Sequence, residues 1–371
     1  MRIGIDYRPV TAAPYSGIAR QVLALEQAIL AGENAQLYRF TAAPLEHAHR
    51  LLAHCPATAS PVHGLHRPRE RVNFELRFLP AAIATAELDI YIATANTGLP
   101  VWRAPANTRY VLLLHDVFQL TMANHHSNRI KALVYRQIDR VGISSSVALA
   151  DAIWTPSVFT ADQARRLFPA AADKISVLPN AVPALATPEP LCAFPALPAV
   201  FWLVVGTREP RKNIPWFVQC WQQARQQDAS VPALVMVGSA SDLPLELRDA
   251  DGMFFVSGLS DAELLSLYAQ TRCLWQPSLA EGFGLPVLEA LAQGAAVAVA
   301  RGSALDEICP AESPRFSPQD SAGLQQLMLE LAARPQPMRW AARQTWADQF
   351  AMPAYTKRVQ ALLQGVLSMP R

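Results

Sequence analysis

The 371-residue chain lacks the features that define several broad classes of protein. Its five cysteines are odd in number, widely scattered and without a CxxC pair, which argues against a disulfide framework or a zinc site and predicts a reducing cytoplasm. No apolar run reaches the roughly 20 residues that cross a bilayer. The N-terminal MRIGIDYRP does not read as a secretory signal. A net charge of +2 argues against a dedicated nucleic-acid binder.

The short fingerprints of several enzyme classes are also missing. Without a GxGxxG motif a nicotinamide or flavin enzyme is disfavoured, and the sequence has neither a GxxxxGK[ST] loop nor a GxSxG elbow. The triplet Asp249–Asp251 lies in a polar stretch, where it predicts a solvated turn rather than a metal site. We therefore expect no metal ion and no cofactor apart from the substrates.

What is present is a repeating α/β pattern of a length that suits two domains. Short apolar strands alternate with amphipathic helices before and after a proline-rich stretch, 183–198, which predicts a linker. The expected fold class is α/β with two tandem, doubly wound, Rossmann-like domains and a ligand cleft between them. The domains are placed at 1–182 and 199–352, and the C-terminal helix, about 353–371, is expected to pack back on the first.

The segment 277–294, PSLAEGFGLPVLEALAQG, carries the strongest signal for a site. Glu281 and Glu289 stand eight residues apart around glycines at Gly282 and Gly284, and the segment follows a predicted strand. Glycines let backbone N–H groups approach a ligand, and Pro286 suits the first turn of a helix whose positive end faces the loop. We expect this loop to hold an anionic or hydroxyl-rich ligand, and Glu289 to accept hydrogen bonds from a diol such as a ribose.

A second segment, VVGTREPRKN at 204–213, places three cations after another strand. Cations at the carboxyl end of a parallel strand suit a phosphate. Lys212 and Arg208 are therefore predicted to bind phosphate. Arg211 is expected to face solvent or to pair with Glu209.

Two further positions lie at predicted strand or helix ends. His115 ends the apolar strand LLLHDVF, where ligands bind in such sheets, and Asp116 is expected to orient the loop or His115. Gly17, just before a helix, would let the backbone approach a diphosphate.

The basic segment 65–78 interleaves arginines with apolar residues. Arg67, Arg69 and Arg71 predict a surface for an anionic membrane or a lipid-linked substrate. The competing interpretation is a solvated helix face, with Glu70 and Glu75 offsetting part of the charge.

In order and content these segments resemble family 4 of the retaining nucleotide-sugar glycosyltransferases, which have the GT-B fold. The resemblance runs through IGIDYRP, SGIAR, HDVF, ISVLPNAV, VGTREPRKN and VSGLSDAELLSLYAQ and is most specific in PSLAEGFGLPVLEALAQG. HDVF and GTREPRKN are most similar to those of bacterial mannosyltransferases that build surface polysaccharides, including lipopolysaccharide. This likeness implies a GDP-mannose donor and a saccharide or lipid-linked acceptor.

The resemblance also implies a role for each matching residue. Lys212 and Arg208 would hold the donor diphosphate, with Gly17 beside it. Glu281, Lys212, Arg208 and His115 form the predicted catalytic set, with His115 beside the donor sugar. The remaining donor contacts are predicted at Gly17, Thr207, Gly282, Phe283, Gly284, Leu285 and Glu289.

Three alternatives stay open at this point. A transferase of the same fold that uses a UDP-sugar would share the whole pattern. A sugar-nucleotide epimerase would keep the phosphate site but needs further acid–base residues. A non-catalytic sugar-nucleotide-binding protein is disfavoured by the joint presence of Glu281, Glu289 and Lys212.

Overall fold

The computed structural model describes residues 1–14, 16–32, 35–41, 52–54, 68–103, 107–122, 129–182, 197–334 and 340–370, without the side chains of 52–54, 68–70 and 129–132. The chain divides into two compact units: unit 1 is Met1–Pro183 with Met352–Arg371, and unit 2 is Ala184–Ala351. Most of the predicted linker, 183–196, lies outside the described residues. In the described part of the chain, no helix is long and apolar enough to span a bilayer.

Unit 1 begins with alternating strands and helices. Its strands are β1 (Arg2–Asp6), β2 (Gln36–Thr41), β3 (Leu52–His54), β4 (Ile90–Ala93), β5 (Arg109–Leu113), β6 (Ala152–Thr155) and β7 (Ile175–Val177). Its first helices are α1 (Arg8–Ala12), α2 (Gly17–Leu30), α3 (Pro68–Asn73), α4 (Leu79–Ala86), α5 (Phe118–Thr121), α6 (Arg129–Leu149) and α7 (Val158–Leu167). A π-helical turn, Phe74–Phe78, joins α3 to α4.

Unit 2 repeats the pattern. Its strands are β8 (Phe201–Val205), β9 (Ala233–Val237), β10 (Met253–Val256), β11 (Cys273–Gln276), β12 (Val297–Ala300) and β13 (Arg315–Phe316). Its helices are α8 (Ile214–Gln227), α9 (Asp261–Gln270), α10 (Leu285–Ala292), α11 (Leu305–Ile308), α12 (Ser321–Ala333) and α13 (Trp340–Asp348). The last helix of the chain, α14 (Met352–Leu367), belongs to unit 1.

Both sheets are parallel and doubly wound. The strand order is β3-β2-β1-β4-β5-β6-β7 in unit 1 and β10-β9-β8-β11-β12-β13 in unit 2. In each sheet the first strand of the unit lies in the interior, and the chain winds outward from it in both directions. The carboxyl ends of all these strands therefore meet at one edge of each sheet, which is where ligands bind in this architecture.

Helices cover both faces of each sheet. In unit 1, α2 and α14 pack on one face around Ile3, Ile5 and Leu363, and the opposite core contains Phe74, Ile83 and Ile143. In unit 2, Trp202 and Trp275 form an aromatic centre with ring centroids 4.9 Å apart. Such three-layer burial explains why the strands read as nearly continuous apolar runs.

The predicted fold class is confirmed, and the differences are local. The sequence predicts a loop at 11–17 and a helical tail from Arg339, whereas α1 extends to Ala12 and residues 349–351 divide the tail into α13 and α14. Strand β2 was not predicted. It carries Arg39, which is buried against Glu26 with 2.7 Å between the charged atoms and interrupts the apolar pattern of the strand.

We expect Leu363→Ala to destabilise unit 1 by about 2–5 kcal/mol, because the fully buried side chain would leave a cavity between α14 and the sheet. Urea unfolding followed by tryptophan fluorescence measures this change. Leu367→Ala is the matched control on the same helix, since Leu367 is 40% exposed and should change stability by less than about 0.5 kcal/mol. Equal effects would contradict the packing of α14 on unit 1.

Candidate functional site

Two loops of unit 2 lie side by side because their strands are neighbours. Strands β8 and β11 pair in parallel, so the loops after Val205 and Gln276 emerge at the same edge of the sheet. The N–H of Leu279 donates to the carbonyl of Arg211 at 2.8 Å and joins the two loops. The sequence segments 204–213 and 277–294 therefore form one structural site.

Glu281 is the centre of this site. It is 6% exposed, and its Oε1 accepts hydrogen bonds from Gln276 Nε2 at 3.0 Å and Ser278 Oγ at 2.9 Å. Its Oε2 lies 2.5 Å from the guanidinium of Arg211, and Lys212 Nζ lies 4.0 Å from Oε1. A buried carboxylate is thus held by two polar donors and two cations.

The electrostatics of Glu281 favour the ionised form. Burial acts to raise the pKa of its carboxyl, but the charges of Lys212 and Arg211 outweigh burial, so that the pKa lies below its ordinary value. Lys212 and Arg211 face the carboxylates of Glu281 and Glu209, so these four charges balance within the two loops. Arg208 adds an exposed cation in the same loop, which favours an anionic ligand there.

Arg211 is the residue that sequence reasoning undervalued. The expected pairing with Glu209 is present, with 2.6 Å between Nε and Oε2. However, the same guanidinium also binds Glu281 and donates to the carbonyl of Ala280 at 3.1 Å, so its side chain is only 24% exposed. The pairing with Glu209 is therefore as predicted, and the bridge that Arg211 makes between the two loops was not predicted.

Lys212 lies against the backbone of its own loop. Its Nζ donates to the carbonyl of Val205 at 3.2 Å, and its side chain crosses above Gly206, which has a φ of +82°. A Cβ at Gly206 would lie 3.2 Å from that Nζ, so the glycine leaves room for the lysine as well as adopting the positive φ. The ammonium group is fixed at the carboxyl end of β8.

Thr207 and Arg208, in the same loop, differ in exposure. Thr207 is buried, and its Oγ1 donates to Asp242 at 2.6 Å. A Cβ at Gly238 would collide with Thr207, so the end of β9 requires a glycine. Thr207 thus joins β8 to the loop after β9. Arg208 is exposed.

The loop before α10 turns through Gly284, whose φ of +111° is left-handed. A Cβ there would lie 2.7 Å from Leu305, so both the conformation and the space demand glycine. Phe283 turns inward against Phe350, with ring centroids 5.8 Å apart. Leu285 begins α10 and Pro286 follows in its first turn, as predicted, so the positive end of the helix faces the loop.

The sequence predicts that Glu289 lies at the rim of its helix, but its side chain is buried. It is 4% exposed, and the hydroxyl of Tyr268 donates to its Oε2 at 3.0 Å. Tyr268 is itself fully buried and lies on α9. The carboxylate is thus oriented by a neighbouring helix, and replacing it would also disturb the core.

In unit 1, His115 lies at the corresponding edge. Its Nε2 donates to the carbonyl of Thr94 at 2.8 Å, and its backbone N–H donates to Asn96 Oδ1. Burial lowers the pKa of the imidazole, so the ring is neutral near pH 7 and Nδ1 is an acceptor. Asp116 accepts from the N–H of Phe118 at 3.1 Å, which agrees with the predicted role in orienting the loop.

Gly17 is the first residue of α2 and is exposed. The N-cap of the helix is Ser16, whose hydroxyl accepts from the N–H of Ala19. Gly17 is therefore accessible at a capped helix start, but a ligand role for it stays a prediction.

The predicted basic surface needs correction at Arg71. Arg67 and the side chain of Arg69 lie outside the described residues. Arg71 packs inward with a side chain only 14% exposed, donates to the carbonyl of Ile138 and lies 3.9 Å from Glu75. Glu75 is not solvated either, since burial raises the pKa of its carboxyl to about 7 although Arg8 and Arg71 lower it. Arg71 therefore connects α3 to α6 instead of facing a membrane.

Among the residues that the structure describes, no group of three or more His, Cys, Asp or Glu side chains could hold a metal ion. The triplet Asp249–Asp251 forms an exposed turn before β10, as predicted.

Comparisons with known proteins agree with this architecture. Residues 15–184 match the family profile described as Glycosyltransferase Family 4, and residues 200–334 match the profile of the group 1 glycosyl transferases. Sucrose-phosphate synthase from Thermosynechococcus elongatus superimposes with a TM-score of 0.77 at 19% identity, over 99% of both chains. Anabaena HepE in complex with UDP-glucose gives a TM-score of 0.68 at 17% identity, over 98% of this chain and 100% of that one. The fold is GT-B.

The two profiles together cover most of the chain, which belongs to the family 4, group 1 glycosyltransferases. Among curated relatives, O-antigen chain mannosyltransferase B of Escherichia coli is 29% identical over 54% of this chain and 55% of that protein. Serotype-specific mannosyltransferase WbdA of Escherichia coli is 31% identical over 36% of this chain. The match spans 17% of WbdA, so this chain corresponds to only part of these relatives.

We expect Arg211→Ala to destabilise unit 2 by about 1–3 kcal/mol, because it removes a partner of a buried carboxylate. The pKa of Glu281 is depressed in the folded state, so the stabilisation is present above the ordinary pKa of about 4.3 and is lost as pH falls through the lower folded value. Urea unfolding at several pH values measures the difference between variant and parent, which should shrink in acid.

Arg208→Ala is the control, since Arg208 is an exposed cation in the same loop and should cost little at any pH. If the two variants proved equally stable, the ion pair between Arg211 and Glu281 would not contribute to the fold.

Proposed function

We propose that the protein is a retaining glycosyltransferase that transfers mannose from GDP-mannose to a saccharide or lipid-linked saccharide in surface polysaccharide or lipopolysaccharide synthesis. The observation that carries this proposal is the cluster of Lys212, Arg211 and Glu281 at the shared edge of β8 and β11. Lys212 is fixed beside the buried Glu281, and Arg208 adds an exposed cation in the same loop, which supports a diphosphate as the ligand rather than a neutral molecule.

Binding of the donor would divide between the two loops. Lys212, with Arg208 from the exposed side of its loop, would contact the diphosphate. Glu289, oriented by Tyr268, would accept hydrogen bonds from the ribose hydroxyls. Glu281 and the backbone of Gly282–Gly284 would contact the sugar, and Leu285 would place the first turn of α10 beside it.

The chemical requirement is stabilisation of the diphosphate as the glycosidic bond breaks. Positive potential from Lys212, Arg208 and the N-terminus of α10 would act where negative charge develops. A same-face displacement, in which the leaving phosphate takes the proton of the acceptor, and a covalent intermediate are both compatible with retention. We propose that no metal is required.

His115 and Gly17 keep their proposed roles beside the donor sugar and the diphosphate. The neutral His115 ring, held through Nε2, presents Nδ1 as an acceptor that suits a sugar hydroxyl. An imidazolium would instead offer only donors.

The donor is supported by the names of the curated relatives, which are mannosyltransferases. A UDP-sugar is the second candidate, because HepE of the same fold was solved with UDP-glucose. The same proposal includes a cytoplasmic location, peripheral contact with a membrane and a lipid-linked acceptor.

The deciding experiment combines nucleotide binding with a transfer assay. In a thermal-shift panel of GDP, UDP, ADP and TDP, we expect GDP to stabilise the protein most, because the proposed donor is GDP-mannose. A ligand at 100 times its dissociation constant adds about 2.7 kcal/mol to the free energy of unfolding. Product formation from GDP-mannose should require an acceptor saccharide and should persist in EDTA.

The other outcomes of this experiment would support different functions. A larger shift with UDP would select the UDP-sugar alternative, and sugar interconversion without acceptor would identify an epimerase. Nucleotide binding without turnover of any donor would indicate a non-catalytic binder. Loss of transfer in EDTA with rescue by manganese would contradict the metal-free proposal.

For the site itself, we expect Lys212→Ala to lower turnover by roughly 10²–10³-fold, the usual loss when one donor to developing charge is removed. Steady-state kinetics with the donor found above measures it. Lys357→Ala is the control, because Lys357 is an exposed lysine on α14, outside the proposed site. The turnover of this variant should match that of the parent. Near-parent turnover of Lys212→Ala would remove Lys212 from the phosphate role.

A further inference from the structure

Helix α6 presents an unusual outward face. Leu133, Val134 and Val141 are 60%, 51% and 66% exposed, and Tyr135 is 38% exposed. An isolated exposed apolar residue is ordinary, but a surface helix normally turns a polar face to solvent. The spacing of eight residues from Leu133 to Val141 and seven from Val134 to Val141 places all three on one side of the helix.

The inward side of α6 is fixed by contacts to α3. Arg71 donates to the carbonyl of Ile138 and lies 3.7 Å from Asp139. A Cβ at Gly142 would lie 2.7 Å from the Arg71 guanidinium, so the helix approaches this arginine closely. Ile138, Asp139 and Gly142 therefore face Arg71 on α3. These contacts oppose a rotation of α6 that would bury Leu133 and Val141.

The charged side chains of α6 are mostly positive. Its sequence contains Arg129, Lys131, Arg136 and Arg140 against one acid, Asp139, and that acid is turned towards Arg71. Arg136 and Arg140 are exposed beside the apolar residues, while the side chains of Arg129 and Lys131 lie outside the described residues. The exposed face thus combines apolar side chains with cations.

We infer that this outward face of α6 is a docking surface for an anionic lipid bilayer. Apolar side chains enter the boundary between headgroups and acyl chains, and neighbouring cations bind anionic headgroups. A second copy of the chain is a poorer occupant, because a symmetric contact would bring the same cations face to face. The inference serves the proposed lipid-linked acceptor, but its test does not use transfer activity.

The test is flotation of the full chain with phosphatidylcholine vesicles that contain or lack phosphatidylglycerol. We expect the parent to float with the anionic vesicles, less at high salt, and not with phosphatidylcholine alone. The double variant Leu133→Glu/Val141→Glu should reduce partitioning by about tenfold or more, and Arg140→Gln by less. Leu245→Glu is the matched control, because Leu245 is 75% exposed but lies in unit 2.

Circular dichroism and thermal unfolding of each variant establish that it is folded. The inference is overturned if the parent ignores anionic vesicles, or if the double variant partitions as the parent does. If only the variant Arg67→Ser/Arg69→Ser lost binding to the vesicles, the membrane contact would be assigned to the basic segment 65–78 instead. A parent dimer in light scattering that the double variant dissociates would identify a second copy on this face.

Discussion

The reversal of winding between β8 and β11 is the constraint on which the site depends. Strands β9 and β11 lie on opposite sides of β8, and in doubly wound sheets such a reversal leaves a crevice at the carboxyl edge. The loops after β8 and β11 border that crevice and contact each other. Leu279 pairs with Arg211, and Glu281 pairs with Arg211 and Lys212.

Burial gives the Glu281 cluster its chemical character. A buried carboxylate without partners would be protonated, and two neighbouring cations without a carboxylate would repel each other. Together the groups hold one another in fixed positions. An arrangement fixed before a ligand arrives needs little reorganisation when charge develops on that ligand.

The sequence predicted the parts of this arrangement that follow from the ends of strands. Glu281, Lys212 and His115 each follow an apolar run, and parallel pairing brings Glu281 and Lys212 together. What the sequence could not show was side-chain direction. Arg211 and Arg208 are chemically equivalent in the loop, but only Arg211 points at Glu281, and Arg71 looks like a surface cation until α6 is packed against it.

Glu289 illustrates the same limit at the scale of one helix. Its position in the helix after Pro286 could be predicted, but its burial depends on Tyr268, which belongs to a different helix. Strand β2 was missed for a related reason. Arg39 reads as a polar interruption in the sequence, whereas in the fold its charge is balanced by Glu26 on α2.

The return of α14 to unit 1 has a consequence for how the chain is made. Unit 2 is a continuous segment, so it has all its residues before α14 leaves the ribosome. Unit 1 must wait, because Tyr355, Val359 and Leu363 complete the core that α2 and the sheet begin. During synthesis, the part of this apolar face that α2 does not cover therefore remains open until the whole second unit has been translated, which lengthens the time in which it can aggregate or recruit a chaperone.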